Sequence, residues 1–556
     1  MLKMNILKMN IRHLLLPAVL GLIGLGATAR AATPHTADGR TNTPPAALRG
    51  ATAVQGFLTM APGLTDRILM RVDLQVDSAA GSAVVKGLTL DLSGSTRATA
   101  DLSRIRAWRS PSTLFYGPER ERATLIGSAK VRRGRVSLTF SQPQRLPAGT
   151  TSLFLTADVR PDATVGHEVD ATLCTVSHDG GTLQLQANPA GKARIFKRHA
   201  MLFSPYDKGS HYWRIPAMIV LRHQPDPSRN GRILTVTDMR HNSNFDLPNK
   251  IDLIARHSDD GGLTWTDGLL IAGNPILSPD YGYGDAALVE TASGRIVCLM
   301  AADRQFQGSS AEHPIRYYQT HSDDGGLTWS VPAEITAPIY AHTYAQGPLQ
   351  GGFTTSGRGL LLERQTDPAR NGRILFAMVC KFKSGKYQNY TLFSDDEGLT
   401  WRISAQSAYD GGDEAKLAEL PDGSVLLSTR RGGNRGFNRS ADGGNTWGRQ
   451  YENNQLWGAS CNADILVYSD SIVLHTLCHD AARRNLTLFA STDGGRTFPY
   501  RQVICQLGAA YSTLEKLPNG DVAVYFEDNS MGHDAFHMNF VTLPLSWLLG
   551  SPDAAR

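Results

Sequence analysis

Along residues 49–195, short runs of alternating apolar and polar residues follow one another with turns between them. Ile68–Val76 (ILMRVDLQV), Leu88–Leu92, Val136–Phe140 and Thr151–Val159 (TSLFLTADV) carry the period of two that buries one face of a strand. No long helical period interrupts them, so the segment predicts an all-β sandwich. Residues 200–550 also read as short strands, but here a turn recurs. SDDGGLTW begins at Ser258 and again at Ser322, followed by SDDEGLTW at Ser394, SADGGNTW at Ser440 and STDGGRTF at Ser491. In each box the third-position Asp can bond nearby backbone N–H groups, the Gly accepts a backbone angle that other residues resist, and the closing Trp or Phe can anchor between sheets. Asp260, Asp324, Asp396, Asp442 and Asp493 therefore read as scaffold rather than as catalysts. At roughly 55–60 residues per four-stranded blade, the repeat region predicts six blades, one of them without a recognisable box. The expected fold is all-β, with a six-bladed β-propeller (200–550) preceded by a β-sandwich (49–195).

Composition adds bounds. The chain has 556 residues, 41% hydrophobic and 19% charged, with 54 Gly and 28 Pro, as suits a turn-rich globular protein of more than one domain. Lys3, Lys8 and Arg12, then an apolar run Leu14–Gly26, then Ala27-Thr28-Ala29-Arg30-Ala31 form the pattern of a signal peptide over 1–31. The run is shorter than the ~20 residues a membrane span needs, so a secreted or periplasmic protein is expected, with or without association to the cell surface. Residues 32–48, rich in Thr, Pro and Ala, read as a linker. Cleavage after Ala31 would remove four positive charges and no acids, taking the formal charge from +5 to +1. That leaves no basic excess for nucleic acid, and any anionic ligand must be held by local arginines. The six Cys are scattered without a CxxC, which argues against zinc. Cys461 and Cys478 are a candidate disulfide pair. Scattered His, no HExxH, no GxSxG and no phosphate loop exclude several other chemistries. No metal or organic cofactor is expected.

The candidate chemistry surrounds the boxes. Tyr212-Trp213-Arg214-Ile215-Pro216 stands before the first blade, Asp246-Leu247-Pro248 before the first box, and Glu414-Ala415-Lys416 runs on to Arg430. Arg483 precedes the last box, with Arg484 beside it, and Ala510-Tyr511-Ser512-Thr513-Leu514 and Val524-Tyr525-Phe526-Glu527 follow it. This order of landmarks resembles the bacterial secreted exo-α-sialidase (neuraminidase) family, whose propellers carry such Asp boxes, also called BNR repeats. The resemblance spans roughly residues 200–550. It implies that Arg214, Arg430 and Arg483 clamp the carboxylate of a sialylated glycan and that Glu527 braces Arg214. It also implies that Asp246, rather than Asp238, is acid and base, and that Tyr511 is the nucleophile with Glu414 as its proton acceptor. A tyrosine nucleophile is a recognised departure of sialidases from the usual carboxylate. Tyr283–Leu288 and Gly347–Gly351 resemble loops that line the family's cleft, with Leu349 standing where Gly is usual. The expected activity is retaining hydrolysis of terminal sialic acids. A trans-sialidase or anhydro-sugar-forming enzyme, and a non-catalytic glycan- or protein-binding propeller, are the alternatives. The N-terminal segment resembles the β domain that precedes the propeller in relatives, where it binds carbohydrate or acts as a spacer; Arg104, Arg106, Trp108 and Arg109 are its candidate sugar contacts. A monomer or simple homo-oligomer is expected.

Overall fold

The structure, a computed structural model, describes residues 47–273, 281–532 and 535–550. The predicted signal peptide and nearly all of the predicted linker lie outside these residues. Nine strands between Leu48 and Ala187 form one curled antiparallel sheet. Its two halves meet along Thr124–Lys130 and Arg135–Pro147, where the register holds only at Gly127 and Phe140. Both halves turn their apolar positions into one core, with Val72, Leu74, Ile105 and Leu155 facing Val85, Leu90, Leu138 and Val176. The alternating runs of the sequence thus become two facing layers, the arrangement of a sandwich. The candidate sugar contacts on this sheet are engaged internally. Arg106 pairs with Asp66 and Asp158. Trp108 donates to Thr156 Oγ1 at 3.0 Å and lies under Arg120.

From Arg198 onwards the chain is a six-bladed propeller of antiparallel four-stranded blades. The innermost strands of blades one to five are Tyr212–Val220, Tyr283–Glu290, Leu349–Thr354, Ala415–Glu419 and Asp464–Val467. The 17-residue strand Tyr500–Lys516 serves twice, closing blade five at its start and opening blade six at its end. Blade six is completed by Asp521–Asp528, His537–Pro544 and, from the other end of the domain, Arg198–Phe203. The ring is therefore closed by hydrogen bonds between its first and last strands, and blade six is the one without a box. Among the described residues no helix is long and apolar enough to cross a membrane.

Each box is a closed turn. Asp324 accepts from Ser322 Oγ (2.8 Å), Leu327 N (3.0 Å), Thr328 N (2.9 Å) and Thr328 Oγ1 (2.6 Å), while Ser322 Oγ accepts from Gly326 N. The aromatic residue then packs across the seam between blades. Trp265 of blade one lies edge-on to Phe540 of blade six, and Trp401 of blade three donates to Gln319 of blade two at 2.8 Å. Asp324→Ala removes four acceptor contacts at once. We expect it to lower unfolding stability by about 1–3 kcal/mol while leaving turnover intact, which thermal unfolding measured alongside an activity assay would check.

Candidate active site

The cleft lies at the propeller axis, and its key side chains arrive there through irregularities of the innermost strands. Pairing with the neighbouring strand slips between Arg214 and Ala217 in blade one, between Gly284 and Ala287 in blade two, and between Ala509 and Ser512 in blade six. A bulge of this kind re-aims side chains that a regular strand would alternate between faces. Two of the bulges carry positive backbone angles, φ 62° at Ile215 and φ 59° at Asp285. A β-branched residue in that region is strained. At Ile215 the strained peptide is held by its N–H, which donates to Glu527 at 2.8 Å.

Glu527 is fully buried and organises two of the other residues. Its carboxylate accepts from Arg214 Nε at 2.9 Å and Nη2 at 3.2 Å, and from the backbone N–H of Tyr511 at 3.0 Å. Burial favours the neutral acid, but the charge and hydrogen bonds of Arg214 and the two backbone N–H groups outweigh it. Glu527 is held below its ordinary 4.5.

Tyr511 stands at the centre. Its hydroxyl donates to Glu414 Oε2 at 2.5 Å and accepts from Arg430 Nη1 at 3.1 Å. Arg214 and Arg483 lie 5.2 and 5.4 Å from its ring centroid. Burial and then the charge of Glu414 push the phenol well above its ordinary 10, against the pull of the three arginines. The phenol is therefore neutral at rest, with a carboxylate already in place to receive its proton. Arg430 also donates to Glu414 and, through Nε, to Ser460 Oγ at 3.0 Å. Arg483 donates to the carbonyl of the same Ser460 at 3.3 Å. Arg484, its sequence neighbour, points away and pairs with Asp480. Arg214, Arg430 and Arg483 thus line one cleft with Tyr511 and Glu414.

Asp246 also lines this cleft, on the loop after blade one's second strand. It is 62% exposed and receives a 2.8 Å hydrogen bond from Arg240 Nη1. Partial burial raises its proton affinity, but Arg240 and Arg214 more than offset this and hold it below 3.8. Asp238 lies beneath Arg240 with no exposure, and burial lifts it to about 7 despite Arg240. Fully buried, it does not line the cleft as Asp246 does.

The structure adds residues that the sequence reading did not assign. Arg240 joins Asp238, Asp246 and the carbonyl of Asn244. Asp285 lines the cleft; burial, then its neighbours Asp238 and Asp246, raise it well above 3.8, so it can donate a proton in a hydrogen bond. Arg304, Phe306, Phe353 and Tyr387 form the opposite wall. The expected cleft stretch Gly347–Gly351 is corrected, because Leu349 is buried against Tyr344 and Phe382 while the lining falls to Phe353, further along the same strand. Of Tyr283–Leu288, Asp285 is the member that lines the cleft. Cys461 and Cys478 are free thiols packed in one buried cluster.

The BNR repeat-like domain family matches residues 278–524. The sialidase of Micromonospora viridifaciens is 28% identical over 366 residues, covering 62% of this chain and 53% of the relative, so the chain spans about half of that protein's length. The Hadza microbial sialidase Hz136 superposes with a TM-score of 0.66 at 22% identity, covering 89% of this chain and 99% of the other. The intramolecular trans-sialidase from Ruminococcus gnavus superposes at 0.54 with 16% identity, covering 63% and 98%.

Proposed function

We propose that this chain, a member of the BNR-repeat sialidase family, is a retaining exo-α-sialidase that hydrolyses terminal sialic acids from glycans. The observation that carries this reading is the 2.5 Å hydrogen bond from Tyr511 to Glu414 within a ring of three arginines. A sugar carboxylate is ionised at neutral pH, and rigid guanidinium forks suit its two oxygens. An anionic nucleophile would be repelled by that carboxylate, whereas a neutral phenol is not. As the phenol attacks the anomeric carbon, its proton passes to Glu414. The glycosidic bond breaks with protonation of the leaving oxygen by Asp246, and the same residue then deprotonates the water that displaces Tyr511 from the anomeric carbon of the covalent sialyl-tyrosine intermediate. Asp246 is ionised in the empty site because of Arg240 and Arg214. Once the substrate carboxylate neutralises part of that positive field, Asp246 regains its proton more readily, so binding itself prepares the acid. Asp285, on the cleft wall, can hold a sugar hydroxyl, while the buried Arg240 holds Asp246 from behind.

The decisive experiment is turnover of a sialoside followed by NMR and mass spectrometry of the first-formed product. The proposal expects free sialic acid appearing as the α-anomer. A β-anomer first would exclude retention, and a product lighter by one water, or transferred to an acceptor, would make the chain an anhydro-forming or trans-sialidase enzyme instead. Asp246→Ala should lose about 10²–10⁴-fold in kcat on sialyl-oligosaccharides and far less on aryl sialosides, whose leaving groups need little protonation. Equal losses on both would remove Asp246 from the acid role.

A further inference from the structure

We propose that Cys461 and Cys478 form a reversible disulfide beneath the cleft, made by hydrogen peroxide, that shifts the hold of Arg430 and Arg483 on an anionic ligand. The second half of this inference rests on the carboxylate-binding reading above; the first half does not. The two thiols pack in one buried cluster with Ile215, Ala510 and Tyr511. Cys478 ends blade five's second strand, and its Sγ faces the carbonyl oxygens of Ala509 and Ala510 at 3.3 and 3.4 Å. These carbonyls belong to the bulge that presents Tyr511. Cys461 directly follows Ser460, whose hydroxyl and carbonyl hold Arg430 and Arg483. One short peptide segment therefore connects the sulfur pair to two of the three arginines.

The two thiols are not equivalent. Burial opposes ionisation of Cys461, but the neighbouring Cys478 thiol and the charge of Arg483 bring it below its ordinary 9. The neighbouring Cys461, and then burial, push Cys478 well above it. Cys461 is accordingly the nucleophile and Cys478 the resolving thiol. The Cys461 thiolate attacks one peroxide oxygen, the O–O bond breaks, and hydroxide leaves, giving a sulfenic acid. The Cys478 sulfur then attacks the Cys461 sulfur, the S–O bond breaks, and water leaves with the thiol proton. Two electrons pass from the two sulfurs to peroxide. Closing the thiol pair to a covalent bond draws Cys461 inward, and with it Ser460.

The test treats the full chain with hydrogen peroxide, unfolds it, alkylates the free thiols and maps peptides by mass spectrometry. We expect loss of two alkylable thiols and a joined peptide pair spanning 461 and 478, restored by dithiothreitol. Cys478→Ser should stop at a sulfenic acid on Cys461 that dimedone captures, and Cys461→Ser should leave Cys478 unreactive. A mass map in which both remain alkylable, or in which either joins another cysteine, overturns the disulfide whether or not the chain turns over sialosides. Binding of N-acetylneuraminic acid, and KM for a fluorogenic sialoside, should shift by about fivefold or more on oxidation with kcat little changed. In Cys461→Ser and Cys478→Ser, neither should shift. A joined pair with unaltered binding and KM overturns the coupling to the arginines.

Discussion

Tyr511→Phe is expected to lower kcat on sialosides by about a thousandfold while the fold and the affinity for sialic acid are kept. The substitution removes one oxygen and nothing else. Its ring still lies between Arg214 and Arg483, and its backbone N–H still donates to Glu527. What goes is the hydroxyl, with its bonds to Glu414 and Arg430. Glu414 is not orphaned by this loss, since Arg430 continues to donate to it, so unfolding stability should change little. Under the proposed mechanism the variant has a clamp without a nucleophile, and kcat collapses while the dissociation constant of sialic acid stays within about twofold. Glu414→Gln should fall by a similar factor, and the double variant by scarcely more, because the two residues act as one unit. Calorimetric titration with sialic acid, steady-state kinetics and a thermal melt together decide it. A Tyr511→Phe enzyme at full rate would remove the phenol from the chemistry.

The parts legible in the sequence were those whose meaning is local. An Asp box is a self-contained turn whose hydrogen bonds run between residues at most four apart, so its eight letters announce it. Arg214, Glu414, Arg430, Arg483, Tyr511 and Glu527 each sat in a short recognisable segment, and the structure brings all six together. Arg240 was not legible as a site residue, since in Thr237–Arg240 only Asp238 stood out as a candidate acid. Tyr283–Leu288 was legible as a cleft-lining stretch, but not which of its residues does the lining; Asp285 reaches the cleft through a bulge and a positive φ that strand patterning does not encode. The cleft-lining stretch Gly347–Gly351 was misplaced for a related reason. Leu349 and Phe353 share one strand, but a slip in its pairing between Leu349 and Gly351 decides which faces the axis. Arg106 and Trp108 looked available for sugar because their partners Asp158 and Thr156 are about fifty residues away. The packing of Cys461 with Cys478 likewise depends on blade geometry.

Glu527→Gln should be the isosteric change in the cleft that costs the most folding stability and damages binding and turnover together, although Glu527 itself touches no ligand in the proposed mechanism. Its carboxylate is the common anchor for Arg214, for the strained N–H of Ile215 and for the N–H of Tyr511. All these partners are donors, so an amide must turn its own N–H₂ towards one of them and leave the Arg214 charge buried without a counterion. Breaking a buried pair from one side costs about 3–5 kcal/mol. Both the clamp and the nucleophile lose their register, so kcat should fall and KM rise together, by at least about a hundredfold in kcat/KM. That joint loss separates this variant from Tyr511→Phe, which spares binding. The pH dependence adds a second signature. Glu527 is depressed below 4.5 in the folded protein, so its ionised form contributes stability that is fully present above the unfolded value and is lost as pH falls through the folded one. The stability gap between wild type and Glu527→Gln should therefore be widest near neutrality and close as the solution is made more acidic than about pH 4.5. Chemical unfolding at a series of pH values measures that gap, and a gap unchanged down to the most acidic pH would mean that the carboxylate's charge is not what holds Arg214, Ile215 and Tyr511 in place.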